Sequence, residues 1–179
     1  MVNGGCGMVA TLRSDPERGF RELMDKYKEP VYWHIRRLVV SHDDAQDAAQ
    51  ETFVRVFRSL GQYRGGGSFT AWVYKIATNE AMRAIGRRRN RFVSLDDESL
   101  APPGIEADGY VDYGDLEAVR LQKAIQSLPP KQQVTFNLRY YDGLGYDEIA
   151  EVTGSTAPSA KANYHIAKDK IIRYMDTND

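Results

Sequence analysis

The stretch from Gly61 to Arg91, GQYRGGGSFTAWVYKIATNEAMRAIGRRRNR, leaves the backbone few options. Its glycine-rich opening suits a turn. The Ser68 hydroxyl can then accept from an unpaired amide of a first helical turn, and an uninterrupted helix-compatible run follows, which predicts a helix starting near Phe69. Phe69, Trp72, Val73, Ile76, Ala77, Ala84 and Ile85 recur at helical spacing as a buried stripe. Lys75, Asn79, Arg83 and Arg87 step by four along another face. One helix is expected to pack inward while presenting cations and an amide outward.

Those outward groups suit nucleic acid, because lysine and arginine neutralise phosphates, asparagine pairs with base edges and aromatic rings stack on unpaired bases. Trp72 shares a face with Phe69 and Ile76, so core packing competes with base stacking at that position. Tyr74 lies off the apolar stripe, and Tyr63 and Arg64 precede it in the loop. All three are candidates for contact with an exposed base, with an ordinary surface role as the alternative.

Composition sets the frame for this helix. A chain of 179 residues with 42% hydrophobic content can form one medium domain or two small ones. No apolar run approaches a membrane span and the first twenty residues lack a signal-peptide hydrophobic region, so the expected location is cytoplasmic. Cys6 is the single cysteine, which rules out an internal disulfide. His34, His42 and His165 are scattered without metal-ligand spacing. Neither a metal nor a cofactor is expected.

The formal net charge of -1 conceals segregation along the chain. Residues 1–92 hold 16 basic and 10 acidic side chains, residues 93–117 hold 0 and 8, and residues 118–179 hold 8 and 7. A basic front, an acidic middle and a near-neutral end imply different electrostatic roles.

Taken in order, the glycine-rich residues 1–13 are expected to be disordered, with order beginning near Asp15. Asp15 with Pro16 is a helix-start signal, and Phe20, Leu23, Met24 and Tyr27 share a face up to an expected break at Pro30. Val31, Ile35, Leu38 and Val39 continue in a second helix. At Ser41, SHDDAQDAAQETFVRVFRSL opens a third with acidic groups in its first turns. Its apolar side is Ala45, Ala48 or Ala49, Thr52, Phe53, Val56, Phe57 and Leu60. Asp47, Gln50, Glu51 and Arg55 lie on its polar side, which spacing alone reads as a solvated face.

Composition changes at Phe92, and VSLDDESLAPPGIEADGYVDYGDLE carries two prolines, three glycines and no cation, which marks a linker. Periodicity resumes with Leu116, Val119, Ile125 and Leu128, stops at Pro129 and Pro130, and returns through Val134, Leu138 and Tyr141. GYDEIAEVTGSTAPSAKANYHIAKDKI then has the plan of a helix-turn-helix. A short helix runs around Ile149, Ala150 and Val152, a turn falls at Gly154, and Thr156 caps a second helix with Pro158 in its first turn. Ala160, Tyr164, Ala167, Ile171 and Ile172 form the buried side of that helix. Thr156, Ser159, Lys161, Ala162, Asn163, His165 and Lys168 are candidates for meeting duplex DNA, although any two-helix hairpin with a glycine turn can imitate this spacing.

With these blocks in view, the chain resembles the bacterial sigma factors of the extracytoplasmic-function group. DAQDAAQETFVRVFRSL followed by FTAWVYKIATNEAMRAIGRRR looks like their second conserved region, and LPPKQQVTFNLRYYDGLGYDEIAEVTGSTAPSAKANYHIAKDKI looks like their fourth. The order of the blocks, joined by a short linker, is more specific than either alone.

The resemblance implies an all-α fold of two small helical domains joined by an acidic linker. Residues 14–92 would form the first domain, 93–113 the linker and 114–179 the second. It implies no catalysis but a transcription initiation factor that binds core RNA polymerase through its beta and beta-prime subunits, together with promoter DNA and an anti-sigma protein. Asp47, Gln50, Glu51 and Arg55 match the helix that docks on polymerase, which displaces the solvated-face reading. The loop from Gly61 to Ser68 matches one that holds a flipped base of the minus 10 element. Lys75, Asn79, Arg83, Arg87 and Arg88 match the face along that element, with Tyr63, Arg64, Ser68, Phe69, Trp72 and Tyr74 grouped around it. The second helix of the helix-turn-helix would read the minus 35 element. It departs from many relatives in lacking arginine there, which leaves Ser159, Ala162 and Asn163 to supply base selectivity.

The acidic linker suits a basic polymerase channel under this resemblance, while charge alone fits a solvated tether equally well. A free-standing helix-turn-helix regulator is the alternative function. An enzyme fares worst, for want of a phosphate-binding glycine motif, a metal cluster or a nucleophile with a base partner.

Overall fold

Helix-start signals recur through the chain, and each described one is used. The computed structural model describes residues 4–39, 41–93 and 114–177, and every regular element among them is helical. Contacts divide the chain into two units, Met1–Leu100 and Ala101–Asp179. The 93–113 linker lies outside the described residues apart from Val93, which ends a helix.

The first unit contains α1 (Gly4–Ser14), α2 (Pro16–Leu38), α3 (His42–Ser59), a 3-10 turn (Leu60–Gln62) and α4 (Phe69–Val93). The Asp15 carboxylate accepts from the Arg18 amide at 3.2 Å and Pro16 occupies the first turn, as its fixed φ favours. Ser41 caps α3 by accepting from the Asp44 amide at 3.4 Å. Leu23, Val31, Ile35, Ala45, Val56, Val73 and Ala77 are fully buried where α2, α3 and α4 pack together. Burial of each larger aliphatic among them is worth about 1.5–3 kcal/mol.

Two expectations for this unit do not hold. Residues 4–14 form a helix rather than a disordered tail, because Met8, Val9 and Leu12 share a face that is buried. That helix packs on α2, and Gly19 permits the close approach: a Cβ there would lie 2.5 Å from the Leu12 Cα. Pro30 does not break α2, which runs through it. A proline inside a helix costs about 3 kcal/mol. Tyr27 before it and Val31, Ile35 and Leu38 after it are buried on one continuous face, and their burial offsets that cost.

The second unit contains α5 (Leu116–Gln126), α6 (Pro130–Tyr140), α7 (Tyr146–Thr153) and α8 (Ala157–Thr177). The Asp115 carboxylate caps α5 by accepting from the amides of Glu117 and Ala118 at 3.0 and 3.1 Å. Ala124, Ile125, Leu128, Phe136, Ala167 and Ile171 form a core in which α8 packs on α5 and α6. Phe136 lies parallel to both Tyr140 and Tyr164, with centroids 5.1 and 5.8 Å away. At the far end of α8, Arg120 of α5 donates to the Met175 carbonyl at 2.6 Å.

Burial differs from the periodic reading at Phe20, Phe57, Leu116 and Ile172. Phe57 is 50% exposed and meets the edge of Phe20 rather than the core. Leu116 and Ile172 are also exposed, because α5 begins outside the core and α8 turns Ile171 rather than Ile172 inward.

Candidate nucleic-acid interface

Backbone and side-chain bonds together set the shape of the loop before α4. Tyr63 donates its amide to the Leu60 carbonyl at 3.2 Å, closing the 3-10 turn. Its hydroxyl donates to the Gly67 carbonyl at 2.8 Å, bridging the loop's base. Gly65 adopts φ +75°, the left-handed region that disfavours side chains. Ser68 accepts from the Ala71 amide at 3.2 Å and so caps α4 as the sequence suggests.

Over this frame lies an aromatic cluster with a buried floor and an accessible rim. Phe69 is buried, edge-on to Tyr27 at 6.0 Å and to Tyr63 at 5.3 Å. Trp72 and Tyr63 are half-buried, with centroids 5.3 Å apart. Trp72 thus serves core and surface together, Phe69 is a support, and Arg64 is exposed.

Phe69, at 3% exposed, cannot meet a base as predicted, and neither can Tyr74 at 4%. The Tyr74 ring packs edge-on against buried His34 at 5.1 Å. Thr78 donates its one hydroxyl proton to the Tyr74 carbonyl at 2.7 Å, so at 2.8 Å it accepts from His34 Nε2–H. The buried face of α4 is therefore wider than the apolar stripe, taking in Ala71, Tyr74, Thr78 and Ala81, because α2 and α3 flank it.

The outward row survives this widening. Lys75, Asn79, Arg83 and Arg87 are all exposed, and Arg88 beside them is half-buried. Glu80, absent from the sequence-derived candidates, sits beneath the row at 1% exposure. One of its carboxylate oxygens accepts from Arg55 Nε of α3 at 2.6 Å and also from Arg83 Nη1. Arg55 pairs in addition with Glu51 at 3.2 Å. Arg83 is thus held by a carboxylate of its own helix, while Asp47 and Gln50 on the polar side of α3 are exposed. The Glu80 to Arg83 spacing was a visible helical pair, but the partner from α3 was not.

In the second unit, α7, a turn at Gly154 with φ +62° and α8 form the expected helix-turn-helix. The Thr156 hydroxyl accepts from the Ser159 amide at 3.3 Å, confirming the cap. Lys161, Ala162, His165 and Lys168 are exposed, as is Thr156, and Ser159 and Asn163 are half-buried. Tyr164 and Ala167 hold the opposite side against the core. The two units thus offer one helix row with an aromatic loop and one exposed helix start. Among the described residues, no group of three His, Cys, Asp or Glu could hold a metal ion, and no helix is long and apolar enough to cross a membrane.

Comparison with known proteins agrees with this arrangement. The family model for Sigma-70 region 2 matches residues 23–91 and that for Sigma-70, region 4 matches residues 118–171. The chain is 29% identical over 173 residues to the RNA polymerase sigma-H factor of Pseudomonas aeruginosa, covering 92% of this chain and 90% of the relative. It is 31% identical over 156 residues to the ECF RNA polymerase sigma factor SigE of Mycolicibacterium smegmatis, covering 86% of this chain and 60% of the relative. Among solved structures, CnrH in complex with the cytosolic domain of CnrY aligns with a TM-score of 0.75 at 18% identity, covering 99% of this chain and 100% of that one. The sigma factor RpoE in complex with the anti-sigma factor NepR, from Bartonella quintana, aligns with a TM-score of 0.68 at 21% identity, covering 89% and 98%. These last two speak to the fold, and the named relatives with the two matched regions speak to the lineage: the chain belongs to the extracytoplasmic-function group of RNA polymerase sigma factors.

Proposed function

We propose that this sigma factor divides promoter recognition between its units, with α4 and its preceding loop on separated strands and α8 on duplex DNA. The reading rests chiefly on the exposed row of Lys75, Asn79, Arg83 and Arg87 beside the Tyr63 and Trp72 rim. The row supplies phosphate neutralisation and one base-pairing amide, and the rim supplies a stacking surface. Extruding a base costs a few kcal/mol and stacking returns about 1–3 kcal/mol per base, so one pocket offsets one flipped base. Opening several pairs needs polymerase as well. Core polymerase would dock on the polar side of α3, where Asp47 and Gln50 are exposed and Glu51 pairs with Arg55.

At the minus 35 element, Lys161 and Lys168 would face phosphates while Ser159, Ala162, Asn163 and His165 face base edges. An anti-sigma protein is a proposed partner by analogy with the RpoE complex. No catalytic step belongs to this scheme. The free-standing regulator is not favoured, since both matched regions are those of sigma factors.

The decisive experiment adds purified protein to core polymerase and transcribes a library of promoter sequences in vitro. Transcripts should arise from a restricted set sharing two elements, and the protein alone should bind the same DNA weakly. Tight duplex binding alone, with no change in polymerase selectivity, would overturn the proposal in favour of the regulator.

A further inference from the structure

The Arg13 guanidinium reaches from α1 to the loop that precedes α4, donating from Nη2 to the Tyr63 carbonyl at 3.0 Å. This bond spans fifty positions of sequence and joins a helix outside the matched region, residues 23–91, to the aromatic rim. We propose that Arg13 is a positioning residue for base capture, with α1 the rigid arm that carries it. This rests on the proposed function of the loop.

Three observations support the arm. Met8, Val9 and Leu12 are buried on the face that packs against α2, and the Gly19 contact leaves no room for α1 to shift inward. The Ser14 hydroxyl donates to the Ala10 carbonyl at 3.0 Å, and the Asp15 amide donates to the Thr11 carbonyl at 2.8 Å, so the last turn of α1 is closed where Arg13 leaves it. Helix α1 also packs directly against α4, the helix into which the loop leads.

The held residue matters because Tyr63 governs both faces of the loop. Its carbonyl takes Arg13, its amide closes the 3-10 turn, its hydroxyl bridges to Gly67, and its ring abuts Phe69 and Trp72. Fixing its backbone therefore fixes the ring that would meet an extruded base. Gly65 and Gly66, where an added Cβ would meet nothing, form the tip beyond this frame. A base arriving at a rim already in place does not have to order it, which is the usual advantage of a preorganised site.

The test uses the full-length protein and the substitutions Arg13→Gln and Arg13→Lys. Hydrogen exchange is followed at the amides of residues 61–68, with those of α3 as internal reference. The DNA probe is a single-stranded oligonucleotide pool, randomised at its centre, from which wild-type holoenzyme selects its preferred sequence.

With Arg13→Gln, exchange in the loop should rise about five- to tenfold, as expected for loss of one hydrogen bond at an exposed site, where water discounts the charged donor. Holoenzyme affinity for the selected oligonucleotide should fall by a similar factor while core polymerase binding holds, and Arg13→Lys should recover part of both. Unchanged loop exchange overturns the proposal. Unchanged exchange with weaker binding and a salt slope reduced by about one would identify Arg13 as a direct phosphate contact instead, which also overturns it. Faster exchange with unchanged binding to the selected sequence overturns the link to capture. If wild-type holoenzyme selects no sequence, the functional reading of the loop fails, and the exchange data alone decide whether Arg13 positions it.

Discussion

Replacing Glu80 by glutamine keeps the shape of a nearly inaccessible side chain and removes its charge. At 1% exposure its carboxylate is shared by Arg55 and Arg83, whose side chains are 44% and 51% exposed. Hydrogen bonds to charged groups contribute about 1.5–3 kcal/mol each, but arginines that stay half in water recover much of their hydration, as exposed pairs do. The net loss for Glu80→Gln is therefore about 2 kcal/mol rather than the 3–5 kcal/mol typical of a fully buried broken pair. In a unit of this size, each kcal/mol moves the midpoint by about 4–8 °C, which gives a drop of roughly 8–16 °C.

Both tryptophans of the chain, Trp33 and Trp72, fall in the first unit, so thermal unfolding followed by tryptophan fluorescence reads that unit. Arg83→Gln leaves Glu80 with Arg55 and should cost only about 0.5–1 kcal/mol. The double variant should match Glu80→Gln alone, because the bond to Arg83 is lost in both. A shift under 2 °C for Glu80→Gln would show that the shared carboxylate does not stabilise the first unit, and strict additivity in the double variant would show that Arg83 does not draw on it.

Gly19→Ala places a methyl 2.5 Å from the Leu12 Cα, where backbone has to move, and should destabilise the first unit by about 1–3 kcal/mol while making α1 the first site of limited proteolysis. Gly154→Ala meets no neighbour but retains φ +62°, so about 1 kcal/mol of stability should be lost from the second unit by chemical denaturation, whereas Gly154→Asn should lose much less. Lys161→Ala, at an exposed position near the start of α8, should weaken DNA binding by holoenzyme evenly across minus 35 sequences and reduce its salt slope by about one, as titrations at several salt concentrations would show.

Much of the scaffold was readable because it depends on local chemistry. Asp15, Ser41, Ser68 and Thr156 cap helices through bonds to amides within three residues, and such bonds leave a local signature. The outward row of α4 was equally plain, since a step of four needs no knowledge of the rest of the chain. What escaped depends on distant partners. The order of residues 4–14 comes from a surface of α2, and the inward turn of Tyr74 follows from His34, forty positions earlier. Glu80 read as an ordinary helical acid until Arg55 arrived from α3 to make it a buried junction.

The length of α8 has a consequence for how this lineage diversifies. Its 21 residues span about 30 Å at 1.5 Å per residue. Apart from Lys168 near its middle, the side chains proposed to touch DNA occupy its opening turns, and the bond from Arg120 to Met175 fastens its closing one. Preference and anchorage are thus carried on one rod but far apart. On the proposed reading, substitutions at positions such as Ala162 or His165 would retune which promoters are chosen without loosening the end that keeps the rod in place.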